Sequence, residues 1–187
     1  MKIALSILVS VVLCSGLAHS QKQLTATVDR TSIFETYPNL KIQVTEYGDA
    51  YVRKDFERLV ELTWSKYVAG YGKATLLNEV ALGAREIEEH GGIVVSWVPG
   101  EATQVIEESG FLYAVVPTRM KIKAGDQTAD TPVCLIAISA DRGEGWTFIS
   151  STCVNPKREF PQVAEKLILC EEKASVGLLP APGRPAY

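Results

Sequence analysis

"ISADRGEGWTFIS", residues 138–150, decides how the chain is read. A run of apolar β-formers stops at a polar, glycine-bearing turn, and a second run starts on Trp146 and Phe148. That is a hairpin signature, and period-two alternation puts the two aromatics on one strand face. The same texture extends upstream. Residues 93–98 end at Pro99-Gly100, and residues 103–108 end at Ser109-Gly110. Residues 111–123, interrupted by Pro117, run to a turn at Ala124-Gly125-Asp126; residues 131–140 and 146–154 form the closing hairpin. Successive strands joined by tight turns predict an antiparallel meander.

Before Ile93 the period changes. Phe56, Leu59, Val60, Thr63, Tyr67 and Val68 recur at three and four, an amphipathic helix with Asp49 as its N-cap. Gly70-Tyr71-Gly72 breaks it. A second helix carries Ala74, Leu77, Val80, Ala81, Ala84 and Ile87 on one face and stops at His90-Gly91-Gly92, since glycine readily takes the left-handed conformation that ends helices. Helices first and strands afterwards is the α+β pattern, with both one-sided helices packing on a single sheet face. Asn155-Pro156 starts a C-terminal helix with Phe160, Val163, Leu167 and Cys170 on one side and Pro161 awkwardly inside it. Residues 21–48 read as an N-terminal extension holding two β-like pieces, 24–28 and 40–44, parted by a turn at Tyr37-Pro38-Asn39. Residues 171–187 end in a proline-rich run that cannot hold regular structure and read as a disordered tail.

Residues 1–20 have the layout of a secretory signal peptide: Lys2, an apolar run, then Ala18-His19-Ser20 before a cut ahead of Gln21. The apolar run is shorter than the ~20 residues that span a bilayer, and Leu13 replaces the small residue a lipobox needs before Cys14. Cleavage leaves 187 − 20 = 167 residues, one domain's worth. The expected location is secreted or periplasmic, with no membrane span in the mature chain. A pI of about 5.5 and scattered basic residues argue against a nucleic-acid groove.

An exported chain meets an oxidising compartment. Cys134, Cys153 and Cys170 remain, an odd number, so at most one internal disulfide forms. Folding the hairpin about Gly143 sets residues whose numbers sum to about 287 opposite each other, which allows Cys134–Cys153 within a register error of two. Cys153–Cys170 is preferred, because it staples the tail helix to the sheet; buried free thiols are the alternative. Widely spaced cysteines and a single remaining histidine make a metal site improbable.

The stretches "DFERLVELTWSKYVAGYGKATLLNEV", "IVVSWVPGEATQVI", "FLYAVVPTRMKI" and "CLIAISADRGEGWTFIS" resemble the NTF2-like (cystatin-like α+β, SnoaL-like) superfamily, particularly its small exported members. The resemblance covers residues 49–154. It implies N-terminal helices packed on a strongly curved antiparallel sheet that forms a cone with a cavity, and homodimerisation through the open sheet face. The domain is drawn over residues 49–170. The fold hosts enzymes, carriers and assembly modules alike.

Candidate chemistry is sparse. His90 sits at a helix end, where a cation complements the helix dipole, and without it no Ser-His-Asp or Cys-His arrangement has a base. Glu57, Glu61, Glu79, Glu101, Glu107 and Glu108 fall on the polar side of the pattern, and Asp126, Asp130 and Asp141 lie in turns. Gly70-x-Gly72 lacks the strand and follow-up of a phosphate loop, and no GxSxG elbow exists. No catalytic residue, cofactor or metal ligand is assigned. Tyr67, Trp97, Tyr113 and Trp146 are the candidate walls of a ligand pocket. Two functions follow: an exported non-enzymatic module binding a small apolar ligand or a protein partner, or a pocket enzyme (isomerase, dehydratase or cyclase) using a buried carboxylate.

Overall fold

The computed structural model describes residues 31–170. The leader, the β-like piece at 24–28 and the tail at 171–187 lie outside the described residues. Among the described residues five helices precede the strands: α1 (Ile33–Thr36), α2 (Pro38–Arg53), α3 (Phe56–Glu61), α4 (Ser65–Tyr71) and α5 (Lys73–Glu89). Five strands follow, β1 (Gly92–Pro99), β2 (Gln104–Glu108), β3 (Phe111–Ala124), β4 (Gln127–Ser139) and β5 (Thr147–Ser150), then a short α6 (Pro156–Glu159). The fold is α+β with one antiparallel sheet, as the order of periodicities predicts.

The sheet is not a simple meander. Its order is β1-β3-β4-β5, and β2 also pairs with β3. β1 takes the Thr118–Ala124 half of β3, while β2 takes the Phe111–Val115 half. The two short strands thus share one edge of a long one, parted where β3 carries Pro117, which has no N–H to give to a ladder. Ser109 and Gly110 both have positive φ, 54° and 81°, the requirement of a two-residue type I′ turn matched to strand twist.

The largest departure from expectation is α2. Residues 40–44 are helix, not strand, and Tyr37-Pro38-Asn39 is a helix start, with Tyr37 as N-cap and Pro38 at the first helical position. Leu40, Val44, Tyr47 and Ala50 are the buried stripe. A strand would have put Ile42 beside Leu40 and Val44; in the helix it turns away and is 62% exposed. Asp49 lies inside α2 rather than capping a helix. The chain instead leaves α2 through Lys54, left-handed at φ 58°, and restarts at Asp55, whose carboxylate accepts from the Arg58 amide at 3.2 Å.

The stripe from Phe56 to Val68 is divided between α3 and α4, because the residues between them join the sheet. Phe148 N–H donates to the Leu62 carbonyl at 2.8 Å, and Trp64 N–H donates to the Phe148 carbonyl at 2.9 Å. α5 forms where its pattern predicts and ends at His90. Leu76, Ala84 and Ile87 are its buried residues, while Ala74 is exposed. The C-terminal helix is shorter than expected. α6 stops before Phe160, since a residue preceding proline is pushed out of helical conformation. Phe160 and Val163 are nonetheless buried.

The second face is covered in part as well, by Trp64, Tyr67 and the segment holding Phe160 and Val163, so the expectation of one covered face is corrected. Leu112, Ala114, Val116, Leu135, Ala137 and Phe148 meet α1 and α2. The alternate residues Tyr113, Ile136, Ile138 and Ile149 meet Phe160, Val163 and the start of α4. α2 and β1 approach so closely that a Cβ on Gly48 would lie 3.0 Å from the Cβ and carbonyl oxygen of Trp97. Helix propensity favours alanine over glycine there by roughly 0.5–1 kcal/mol, whereas overpacking costs typically ~1–3 kcal/mol. We expect Gly48→Ala to lower the urea midpoint of unfolding. A raised midpoint would show that β1 can yield.

Candidate functional site

The turn that opens the sequence reading is built from side chains to backbone. Ser139 Oγ donates to the Asp141 carboxylate at 2.8 Å and accepts from the Gly143 amide at 2.9 Å. Asp141 Oδ1 also accepts from the Gly145 amide at 2.8 Å, and these amide and hydroxyl donors hold its carboxyl below the usual carboxylate range. Gly143 is required: its φ is 97°, and a Cβ there would meet the Tyr37 ring at 2.8 Å. The loop is tied to α2, since Gln43 accepts from the Trp146 amide at 2.7 Å and donates to the Glu144 carbonyl at 3.0 Å.

The four candidate wall residues do not converge. Trp146 is buried with Phe148 on the α2 side, its indole N–H donating to the Gly143 carbonyl at 3.0 Å and its ring edge-on to Tyr37. Trp97 is half-buried on the same side, between Tyr47 and Tyr51, and donates to Thr118 Oγ1 at 2.8 Å. Thr118, itself buried, passes its hydroxyl to the Val133 carbonyl at 2.9 Å, which completes the relay from the Trp97 indole. Tyr113 and Tyr67 lie on the opposite side of the sheet, Tyr113 edge-on to Phe160 and accepting from Gln162 at 2.6 Å. Sequence alternation placed Trp146 with Phe148 correctly; that Trp97 and Tyr113 fall on opposite faces follows from the β1–β3 register, in which Trp97 pairs with Met120.

A cleft of ≈130 Å³ lies between α2, α5 and β1, lined by residues including Tyr51, Lys54, Ala84, Ile87 and Ile93. That is well below the ~300–1,000 Å³ of typical ligand pockets. Lys54 and Glu88 form an ion pair at its rim.

Two carboxyls are held low by neighbouring guanidinium groups. The Arg58 guanidinium, 2.8 Å from Glu46, holds that carboxyl below its ordinary range, and Arg158 does the same for Glu159. A general acid needs the opposite direction. Burial pushes the Tyr47, Tyr51 and Tyr67 phenols up, so they stay neutral at pH 7. His90 caps α5, its Nδ1 2.7 Å from the Glu86 carbonyl. Among the described residues no group of His, Cys, Asp and Glu is arranged to hold a metal, and no helix is long and apolar enough to cross a membrane.

The cysteine preference is corrected. The disulfide joins Cys134 to Cys170, with Cα atoms 5.6 Å apart, and exposed Cys153 is outside it. The β4–β5 register explains why. Leu135 pairs with Ser150 and Ile136 with Ile149, a sum of 285 rather than 287. Cys134 therefore sits against Ser151, whose amide donates to its carbonyl at 2.8 Å, and Cys153 has run past it.

α4 carries aromatics at the edge of the second core, with Trp64 and Tyr67 half-buried against it and Tyr71 outside it. None of its residues is buried. Tyr67 and Tyr71 have ring centroids 4.5 Å apart, Tyr71 is 42% exposed, and the Lys66 ammonium sits 5.5 Å over the Trp64 ring at the helix start. The tyrosine spacing of four residues is visible in the sequence; what hid it is that the same stripe reads as core.

No family model, curated protein or solved structure matches the chain.

Two outcomes follow from this geometry. Peptide mapping of the oxidised protein should recover Cys134 linked to Cys170, and Cys170→Ser should destabilise the fold by roughly 4 kcal/mol on the chain-entropy estimate for a loop of this length; recovery of a Cys153 linkage would refute the pairing. Because Asp141 titrates low in the folded state, its turn bonds persist above the unfolded carboxyl value of ~3.9 and are lost as pH falls through its folded value. The Gly145 amide shift, followed by NMR, should titrate with a midpoint below ~3.9, and Asp141→Asn should abolish that step.

Proposed function

We propose that this chain is an exported, non-enzymatic module of the NTF2-like type that works by binding another polypeptide. The order of helices before an antiparallel sheet supports the NTF2-like reading, with a curved, cone-like sheet as its finer form. The layout of residues 1–20 supports export. Of the two binding modes, a protein partner fits better than a small apolar ligand. The aromatics that would wall a pocket are divided between two packed cores on opposite faces of one sheet.

The observation that carries the reading is α4. Protein-binding hot spots are enriched in tyrosine, tryptophan and arginine, and α4 presents a stacked tyrosine pair beside a Lys66-covered tryptophan on a helix without a buried residue. Tyr67 packs on the second core and stacks on Tyr71, which stands exposed where an incoming apolar side chain could insert beside it. The enzyme alternative needs a buried carboxylate, and the buried polar residues among those described are Thr118 and Ser139.

The chain should be produced in its own source with its leader intact. Recovery from the exported fraction with Gln21 at the N-terminus is the expected processing. A photoreactive phenylalanine analogue at position 71 should crosslink to a polypeptide there, while the same analogue at exposed position 42 should not. A small apolar molecule retained in native mass spectrometry, with no crosslink from position 71, would overturn the reading.

A further inference from the structure

Phe160 and Val163 cover the Tyr113 and Ile136 half of the sheet's outer face. Beyond Pro117 that face stands open among the described residues, and three strands lay out a grid on it. β3 supplies Arg119, Lys121 and Lys123, all exposed. β1 sets Val98 beside Arg119, Ser96 beside Lys121 and Ile93 beside Lys123. β4 sets Pro132, Asp130 and Thr128 against the same three residues from the other side. Ile93 and Val98 are 52 and 57% exposed. Ladder partners share a face, as do alternate residues of one strand. A row of three cations, about 13 Å long at ~3.3 Å per residue, therefore runs between an aliphatic row and a polar one.

The positive charge of this row is local, since the whole chain carries a formal charge of −3. Asp130 stands 4.0 Å from Lys121, and Asp126 sits in the turn past the end of the row. Among the described residues Arg119 and Lys123 enter no ion pair. The geometry discriminates between occupants. Addition of a polypeptide strand to the edge of β1 is disfavoured, because the register shifts between Val94 and Ser96 and Pro99 closes the strand; a bulge and a proline are devices that blunt a sheet edge. A second copy seated face to face by a two-fold axis sets the cationic row against itself. An anionic bilayer surface meets neither objection. It needs no register, and its headgroups supply the opposite charge. The long Lys and Arg stems let the charged ends stay at headgroup depth while the aliphatic row faces the acyl boundary.

We propose that the outer face of β1 and β3 beyond Pro117 docks on acidic phospholipid bilayers, with Arg119, Lys121 and Lys123 on the headgroups and Ile93 and Val98 at the acyl boundary. The attachment is peripheral and leaves the β1–β3 ladder intact. Arg119 and Lys123, the two cations outside an ion pair, supply roughly a 30-fold preference for anionic over neutral vesicles. The inference is independent of the α4 surface and of the polypeptide it takes.

The test uses the chain from Gln21 onward, so that the apolar run of residues 3–17 takes no part. Cosedimentation is measured with vesicles of phosphatidylcholine alone and of phosphatidylcholine mixed with phosphatidylglycerol. Three variants are compared with the native chain: Lys121→Glu/Lys123→Glu, Ile93→Ser/Val98→Ser, and Lys41→Glu/Lys157→Glu, which makes the same change in net charge at exposed positions away from the face. We expect the native chain to bind mixed vesicles roughly 30-fold more tightly than neutral ones and to lose that preference as salt is raised. The Lys121/Lys123 reversal should abolish the preference, the serine variant should bind several-fold more weakly, and the Lys41/Lys157 reversal should bind as the native chain does. An unchanged unfolding midpoint qualifies each variant; if the serine variant does not fold, the charge reversals decide. Equal binding to both vesicle types, or equal loss in the two charge reversals, would sink the proposal. So would vesicles left unbound while poly-glutamate slows hydrogen exchange over 92–99, which would assign the face to an acidic polypeptide, or a dimer whose protection of 92–99 falls on dilution, which would assign it to a second copy.

Discussion

Phe148 is the constraint on which the rest of the structure depends. Its N–H and carbonyl both bond to residues 62–64 on one edge of β5, while β5 pairs with β4 on the other edge. Its ring is fully buried against Tyr47 of α2. One residue therefore fixes the last strand, the break between α3 and α4, and the seat of α2. An exposed strand edge is a template for pairing with other chains; here residues 62–64 close it from within the same chain.

That arrangement dictates where the polar chemistry goes. With the sheet covered over much of both faces, apolar side chains fill the interior, and polar groups such as Trp97, Thr118 and the Val133 carbonyl are bonded locally there. The carboxylates are left at the surface, where cations and backbone amides stabilise their charged forms. At the edge of the second core, Tyr67 stacks on the exposed Tyr71 of α4.

The strands were legible because each carries its own turn. Ser109-Gly110 and Gly125-Asp126 set two-residue connections whose backbone requirements are local, and β3–β4 pairing simply follows from the second of them. α5 was legible because glycines bound it and its stripe is unbroken. α2 was not, since Leu40, Ile42 and Val44 satisfy a two-residue period as well as Leu40, Val44 and Tyr47 satisfy a helical one. Only the sheet surface waiting beneath decides between them. The disulfide was illegible for a similar reason. A shift of the register sum by two moves Cys153 past Cys134, and that shift is set by how Ser139 and Asp141 wind the turn.

By itself, the sequence determined the α+β class, the order of the strands and the glycine-bounded helix before them. All of these rest on interactions within a few residues along the chain or on composition. The tertiary structure decided that α2 is a helix, that residues 62–64 leave the helical path to close the sheet, that the four aromatics serve two cores, and that Cys134 meets Cys170. Each of these depends on burial against residues distant in the chain, and burial has no local signature when two periodicities fit equally well.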